Sequence, residues 1–164
     1  MTLLQMCEWL ESTKLAELVT QSTYGFPIVV AIHLLGLGLS VGTVIWFDLR
    51  LLGTVLTTMP VSLVYRRLAP VMVAGFTTMF VSGAVIFTGY AMAAYNNPYF
   101  RVKLAMILVA GLNAALFHVF TQRRLAGWDS WSHPPASARA AGAISILSWI
   151  VVVLAGRMMS YTMF

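Results

Sequence analysis

The stretch YGFPIVVAIHLLGLGLSVGTVIWF, residues Tyr24–Phe47, decides the fold class of this chain. It contains no Asp, Glu, Lys or Arg, and its one histidine is His33. Because a helix needs about 20 apolar residues to cross a bilayer, the stretch predicts a membrane-spanning α-helix. An ionisable side chain is expensive to keep at such depth, so His33 indicates a cofactor, an ion path or a paired polar partner.

The rest of the chain is similarly apolar. Its 164 residues are 60% hydrophobic and 9% charged, against about 25% charged residues in soluble domains. The sequence predicts four long helices, at about 24–52, 69–94, 99–124 and 138–160. Membrane barrel strands would alternate in polarity over about 10 residues, which these continuous runs do not. We therefore expect an all-α integral membrane four-helix bundle, with residues 24–164 as a single transmembrane domain.

Residues 1–23 differ from the apolar runs. Their leucines recur near a helical period, which predicts a short amphipathic segment lying on the membrane surface. This segment contains three glutamates and one lysine, whereas a secretion signal begins with a basic region, so no cleavable leader is expected. Cys7 is the only cysteine, which excludes an internal disulfide and a thiolate metal cluster.

The charges are placed as in a membrane protein rather than a nucleic-acid-binding one. The ten Lys and Arg residues are dispersed around the helix ends instead of gathered on one face, so we expect the lipid bilayer and no nucleic acid as partner. One side of the predicted topology carries Arg50, Arg66, Arg67, Arg123, Arg124 and Arg139, and the other carries Lys14, Arg101, Lys103 and Arg157. The positive-inside tendency then predicts that both termini lie on the outer side of the membrane.

Two histidines fall at different depths of the predicted bundle. His33 lies nine residues after the start of the first helix, roughly 13 Å from the outer boundary, whereas His118 lies 18 residues into the third, roughly 27 Å from it. A haem standing between two helices needs ligands at similar height, so a sandwich of these two histidines is not expected. His118 is still a candidate cofactor-binding residue. It is expected in a polar cluster with Asn113, in a proton or metal site shared with His133, or in a structural role.

The outer half predicts a haem site. His33 is a candidate metal ligand, as an axial imidazole on haem iron, and Lys103, Arg101 and Arg157 are candidate partners of the haem propionates. Lys103 is also a candidate second axial ligand. The alternative is that these cations are snorkelling interface anchors and that His33 bonds to a neighbouring helix. A stripe of small residues in the first helix, Gly36, Gly38, Ser40 and Gly42, permits close approach of either a helix or a flat cofactor.

At the inner end, Asp48 and Arg50 stand two residues apart and therefore on different faces of the first helix. We expect them to contact Arg66, Arg67 or lipid phosphate rather than each other.

Three stretches carry a family resemblance: Tyr24–Gly53, Phe100–His118 and Ala155–Tyr161. They resemble an uncharacterised family of four-helix bacterial inner-membrane proteins, and more distantly the CopD-like copper-resistance membrane domain and the HemJ-type protoporphyrinogen oxidase. The resemblance implies haem b at His33, with Lys103 as second ligand or propionate partner and Arg50 as a structural or site residue. The chain has glycines where the HemJ-type motif has aromatics after its histidine, so oxidase activity is not carried over.

Three functions follow as hypotheses. The first is a small membrane cytochrome that relays electrons between quinones and an outer redox protein. The second is a copper, ion or small-molecule transport component that uses His33 and some of the ten methionines. The third is a non-catalytic scaffold subunit, in a homo-oligomer or a larger complex, with the small-residue stripe as its docking face.

Overall fold

The computed structural model describes residues 2–120, 127–129 and 134–162, and over these residues the chain forms helices and no strand. The helices are α1 (Leu3–Glu11), α2 (Lys14–Gln21), α3 (Gly25–Leu52), α4 (Val61–Gly89), α5 (Ala91–Asn96), α6 (Pro98–Phe120) and α7 (Ala136–Thr162). Four of them, α3, α4, α6 and α7, are long and apolar enough to cross a membrane. The predicted all-α fold with four spans is therefore confirmed, and the chain is a multi-pass membrane protein whose surface contacts lipid.

The spans pack in the order α4, α3, α7 and α6. A central cluster joins all four through Val41, Met79, Ala110 and Trp149. Between α4 and α6 the contact is made mainly by long side chains, such as the rings of Phe87 and Phe100, which stack with centroids 5.5 Å apart. Helices α4 and α7 likewise meet through side chains, the rings of Phe76 and Trp149, so α4 has its close backbone contact among the spans with α3.

The small-residue stripe of α3 divides between two faces. Gly36 lies against α4 so closely that a Cβ there would stand 2.7 Å from the Met79 nitrogen, and a Cβ on Gly75 of α4 would stand 2.5 Å from the Ser40 nitrogen. Around Gly38 and Gly42 there is open space. One half of the stripe thus makes the α3–α4 helix crossing, and the other half faces away from the bundle.

Helix α4 begins earlier than the sequence predicted. The sequence predicts a span from residue 69, but α4 runs without a break from Val61 through Pro70. A residue of the α6–α7 connection, Asp129, stabilises the first turn of α4. Its carboxylate accepts hydrogen bonds from the Ser62 nitrogen, at 3.1 Å, and from the Ser62 hydroxyl. Proline removes only one bond of the ladder, and in an apolar setting the remaining bonds keep the helix continuous.

The second and third spans also differ in their ends. Helix α4 ends at Gly89, where α2 packs against it, and the separate helix α5 follows. The Glu11 carboxylate accepts a hydrogen bond from the Met92 nitrogen at 2.8 Å, which stabilises the start of α5. The third span is described as far as Phe120, so its predicted end at 124 lies outside the described residues, as do Arg123, Arg124 and His133.

The amphipathic N-terminal segment forms two helices that pack across one end of the bundle. Thr2 and Thr13 cap them with their side chains, and Cys7, Ala16 and Val19 are buried against the bundle. Their other side exposes Leu3, Trp9 and Leu18. The Asn97 amide donates to the Thr162 hydroxyl at 2.8 Å, so the end of α7 lies here too. We call this the terminal end of the bundle, and the opposite end, with Asp129, the loop end.

Candidate functional site around His33

His33 occupies a half-buried position where α3 meets α4. Its Nδ1 lies 2.9 Å from the Met79 carbonyl oxygen and 3.1 Å from the Ser82 hydroxyl. A carbonyl oxygen only accepts, so Nδ1 carries the proton and donates, and the Ser82 hydroxyl uses its own proton on the Thr78 carbonyl at 2.6 Å. The lone pair of the neutral ring is therefore at Nε2, which forms no hydrogen bond to a described residue.

Gly83 makes room for the imidazole. A Cβ at this position would stand 3.1 Å from His33 Cε1 and 3.4 Å from Nδ1. Contacts this short force one partner to move, so the missing side chain of Gly83 is part of the histidine site.

Lys103 of α6 reaches the same level of the bundle. Its charge acts on His33, and its Nζ lies 3.8 Å from where a Cβ on Gly156 of α7 would stand. His33 follows the start of α3 by eight residues and Lys103 follows the start of α6 by five, which places them roughly 12 Å and 8 Å below the terminal end. All four spans thus contribute to one region around His33 and Lys103, which we call the His–Lys site.

The structure does not bring the other predicted residues into the His–Lys site. Arg101 is exposed and stacks over the Tyr95 ring, 5.9 Å from its centroid. Arg157 is exposed too, stacks over Tyr161 at 4.6 Å and donates to its hydroxyl at 2.8 Å. Both arginines remain near the terminal end, in aromatic contacts on the bundle surface.

His118 lies at the far end of α6 and is exposed. It follows Lys103 by fifteen residues, about 22 Å along the helix. The Asn113 amide donates to the Ala141 carbonyl at 2.9 Å and so joins α6 to α7. The predicted pairing of His118 with His133 involves a residue outside the described ranges.

Two buried ionisable residues of α3 lie near the loop end. Arg50 is only 1% exposed, and its Nε and Nη2 both donate to the Met59 carbonyl, at 3.0 Å and 2.8 Å. Asp48 is 5% exposed and accepts a hydrogen bond from Ser145 of α7. The expected contacts with Arg66 or Arg67 do not form, because both arginines are exposed while the Met59 carbonyl and Ser145 are the described polar partners of Arg50 and Asp48. Contact with lipid phosphate stays a prediction.

Sequence reasoning missed the α4 side of the His–Lys site. Met79 contributes a backbone carbonyl, and no side-chain pattern reports that. The available signal was Ser82 and Gly83, two adjacent small residues within a membrane-spanning helix. Small and hydroxyl-bearing residues in a membrane helix commonly mark a close contact or a polar partner on the facing helix.

These features define the class: a polytopic α-helical membrane protein with a hydrogen-bonded histidine and a lysine at one end of its bundle. Over residues 6–162 the chain matches the family described as "Family of unknown function (DUF6644)", and it belongs to that family. The predicted membership of an uncharacterised family is therefore confirmed. No curated protein and no solved structure gives a significant match to the chain.

Proposed function

We propose that the protein is a small b-type-cytochrome-like membrane protein that binds haem b at His33 and relays electrons. One observation carries this proposal: the Nδ1–H of His33 donates to the Met79 carbonyl. Histidines that bind metals almost always donate their other ring N–H in this way, because the bond fixes the tautomer and directs the free nitrogen toward the metal. His33 thus has the form of an axial ligand.

The remaining residues fit a haem better than a metal held by protein alone. Among the described residues no three His, Cys, Asp or Glu side chains gather into a metal-binding group. Haem iron receives four nitrogens from the porphyrin, so one imidazole and one further ligand complete its coordination. Helices α4 and α6 meet near His33 through side chains such as Phe87 and Phe100, which can move more readily than a close backbone contact to admit a flat ring.

Each residue then has a defined role. His33 would hold the haem through Nε2, and Ser82 and Gly83 would fix the plane of its imidazole. Lys103 would supply a second nitrogen ligand or neutralise a propionate, and Arg101 and Arg157 would pair with propionates after leaving Tyr95 and Tyr161. Haem, when bound, supplies reversible one-electron chemistry, and the apolar spans around His33 exclude water from it.

The setting of this relay is also part of the proposal. The distribution of Lys and Arg favours an orientation with the terminal end outward. The resemblance to four-helix bacterial inner-membrane proteins, and more distantly to CopD-like and HemJ-type membrane proteins, supports the bacterial inner membrane as the location. Electrons would pass between the quinone pool and a redox protein that docks at the terminal end.

The test is the absorption spectrum of detergent-purified protein, oxidised and dithionite-reduced. We expect about one haem per chain in the wild type and complete loss of the pigment in His33→Ala, because the axial ligand is gone. His118→Ala is the matched control, since His118 is exposed at the other end of α6, and it should keep the full spectrum. The Lys103→Ala spectrum identifies the second ligand through a change of spin state.

A folded wild-type protein without pigment, even after incubation with haemin, would contradict the proposal. Retained pigment in His33→Ala would remove His33 from the site. In the first case the transport and scaffold hypotheses remain, and copper binding to wild type and His33→Ala would separate them.

A further inference from the structure

Asp48 is a buried carboxyl group that the haem proposal leaves unused. It lies in α3 near the loop end and is 5% exposed. The Ser145 hydroxyl donates a hydrogen bond to the carboxyl group, but Oδ2 of Asp48 has no hydrogen-bond partner among the described residues. Asp48 follows His33 by fifteen residues, about 22 Å along α3, so it belongs to a separate site.

The helix packed against Asp48 brings no positive charge to it. Helix α7 faces it with Ser145 and Gly142, and a Cβ on Gly142 would stand 3.0 Å from the Asp48 carbonyl oxygen. The approach of α3 and α7 here is therefore a backbone contact that leaves little space for a larger side chain.

The described basic side chains of the loop end either contact groups other than Asp48 or are exposed. Arg50, two residues further along α3, has its Nε and Nη2 on the Met59 carbonyl and feels the charge of Asp129. The other basic side chains described near this end are exposed on the bundle surface: Arg66, Arg67, His118 and Arg139. The Tyr65 side chain is half-buried, with its ring 5.4 Å from that of Phe47. None of them acts on the Asp48 carboxyl group, whose one described polar partner is Ser145.

An ionised carboxylate with one hydrogen bond and no cation is a very unfavourable group inside an apolar bundle. Binding a proton removes the charge, after which Oδ2 is a neutral hydroxyl and the lost hydrogen bond is a much smaller penalty. We propose that Asp48 is a proton-binding site at the loop end of the bundle. It holds a proton while α3 and α7 are packed together and exchanges it with the solvent at that end.

The composition of the chain allows a direct test by infrared spectroscopy. Its only aspartates are Asp48 and Asp129, and Asp129 accepts two hydrogen bonds from Ser62 near Arg50, as expected of an ionised carboxylate. We expect full-length protein in lipid at neutral pH to show the carbonyl band of a protonated carboxylic acid. The band should move to lower frequency when aspartate side chains carry carbon-13, and move again in D2O as the proton exchanges.

Two variants assign the band. Asp129→Asn should keep it, and Asp48→Asn should lose it while the far-ultraviolet circular dichroism stays helical. Should Asp48→Asn fail to fold, carbon-13 labelling of Asp129→Asn is sufficient, because Asp48 is then the only aspartate. The inference is overturned if the isotope moves only carboxylate bands, if the acid band disappears in Asp129→Asn, or if it never exchanges in D2O. Sodium-dependent carboxylate bands would assign the site to a metal cation instead. The measurement reads the carboxyl group itself, so it is independent of whether haem binds.

Discussion

Helix α3 accommodates two polar side chains, His33 and Arg50, in an apolar environment in the same way. Each donates to a backbone carbonyl of the polypeptide that follows α3, His33 to Met79 and Arg50 to Met59. A carbonyl is always available in a helix or loop, so it satisfies a donor without adding a second costly charge. Each also keeps a nitrogen that bonds to no described residue, Nε2 in His33 and the buried Nη1 in Arg50, but Arg50 uses its other two nitrogens to hold the α3–α4 connection.

Arg50→Lys should therefore destabilise the protein even though the charge is kept. Lysine lacks the planar fork that places two N–H groups on one carbonyl. We expect a loss of roughly 1.5–3 kcal/mol, the range for hydrogen bonds that involve a charged group. The measurement is the free energy of unfolding in mixed micelles.

The matched control is Arg66→Lys, because Arg66 is exposed. Its stability should change by no more than about 0.5 kcal/mol, as is usual for surface substitutions. Equal stabilities of the two variants would show that the Met59 contact contributes little.

The α3–α4 helix pair provides the close backbone approach on which the histidine site rests. Gly36 and Gly75 bring the two backbones together, and this crossing places the Met79 carbonyl within reach of His33. The same α3 exposes Gly38 and Gly42 on another face, where a side chain would meet nothing. Glycine thus has a packing role at the first pair that it lacks at the second.

Gly36→Ala and Gly38→Ala form a pair that tests this difference. Alanine at 36 would collide with the α4 backbone, which cannot rotate away as a side chain can, so we expect a loss of roughly 1–3 kcal/mol by overpacking. Alanine at 38 enters open space and should be neutral or slightly stabilising. The measurement is again unfolding in micelles, supported by the nitrogen-15 shift of His33 Nδ1, which should move only in Gly36→Ala.

A destabilised Gly38→Ala with an unchanged Gly36→Ala would reverse this assignment. It would then be the outward face, rather than the α3–α4 crossing, that depends on the absence of side chains.

The whole molecule has four spans, so its two ends lie on the same side of the membrane. The hydrogen bond between Asn97 and Thr162 places the end of α7 beside the α5–α6 turn, and α1 packs on α5 at that same end. The α3–α4 connection, with exposed Thr57, is at the loop end.

Single cysteines in a Cys7→Ala background test this topology. In intact cells, a maleimide that cannot cross the membrane should label Thr2→Cys and Ser160→Cys, which are exposed positions at the terminal end, and leave Thr57→Cys unlabelled. Permeabilised cells should label all three. The reverse pattern would place the terminal end inside and contradict the proposed outer redox partner, whereas labelling at only one terminus would contradict four spans.

The spans could be predicted from the sequence, but their ends were less certain. Apolar length alone decides whether a segment crosses the bilayer, and this is a local property. The start of α4 depends on Asp129, a residue that lies far along the chain and caps its first turn. A contact of this kind leaves no mark on the hydropathy of α4 itself, so the span was predicted to begin at residue 69 rather than at Val61.

The sequence by itself determined the membrane class, the four helices and the choice of His33 and Lys103 as residues of interest, because each follows from hydrophobic length and from the cost of a polar group at depth. The tertiary structure alone decided what those residues meet. It placed Lys103 near enough for its charge to act on His33, and it buried Asp48 against Ser145. It also kept Arg101, Arg157 and His118 outside the His–Lys site. The reason is that the rotation and crossing of packed helices select the facing side chains, and these follow from contacts between segments distant in sequence.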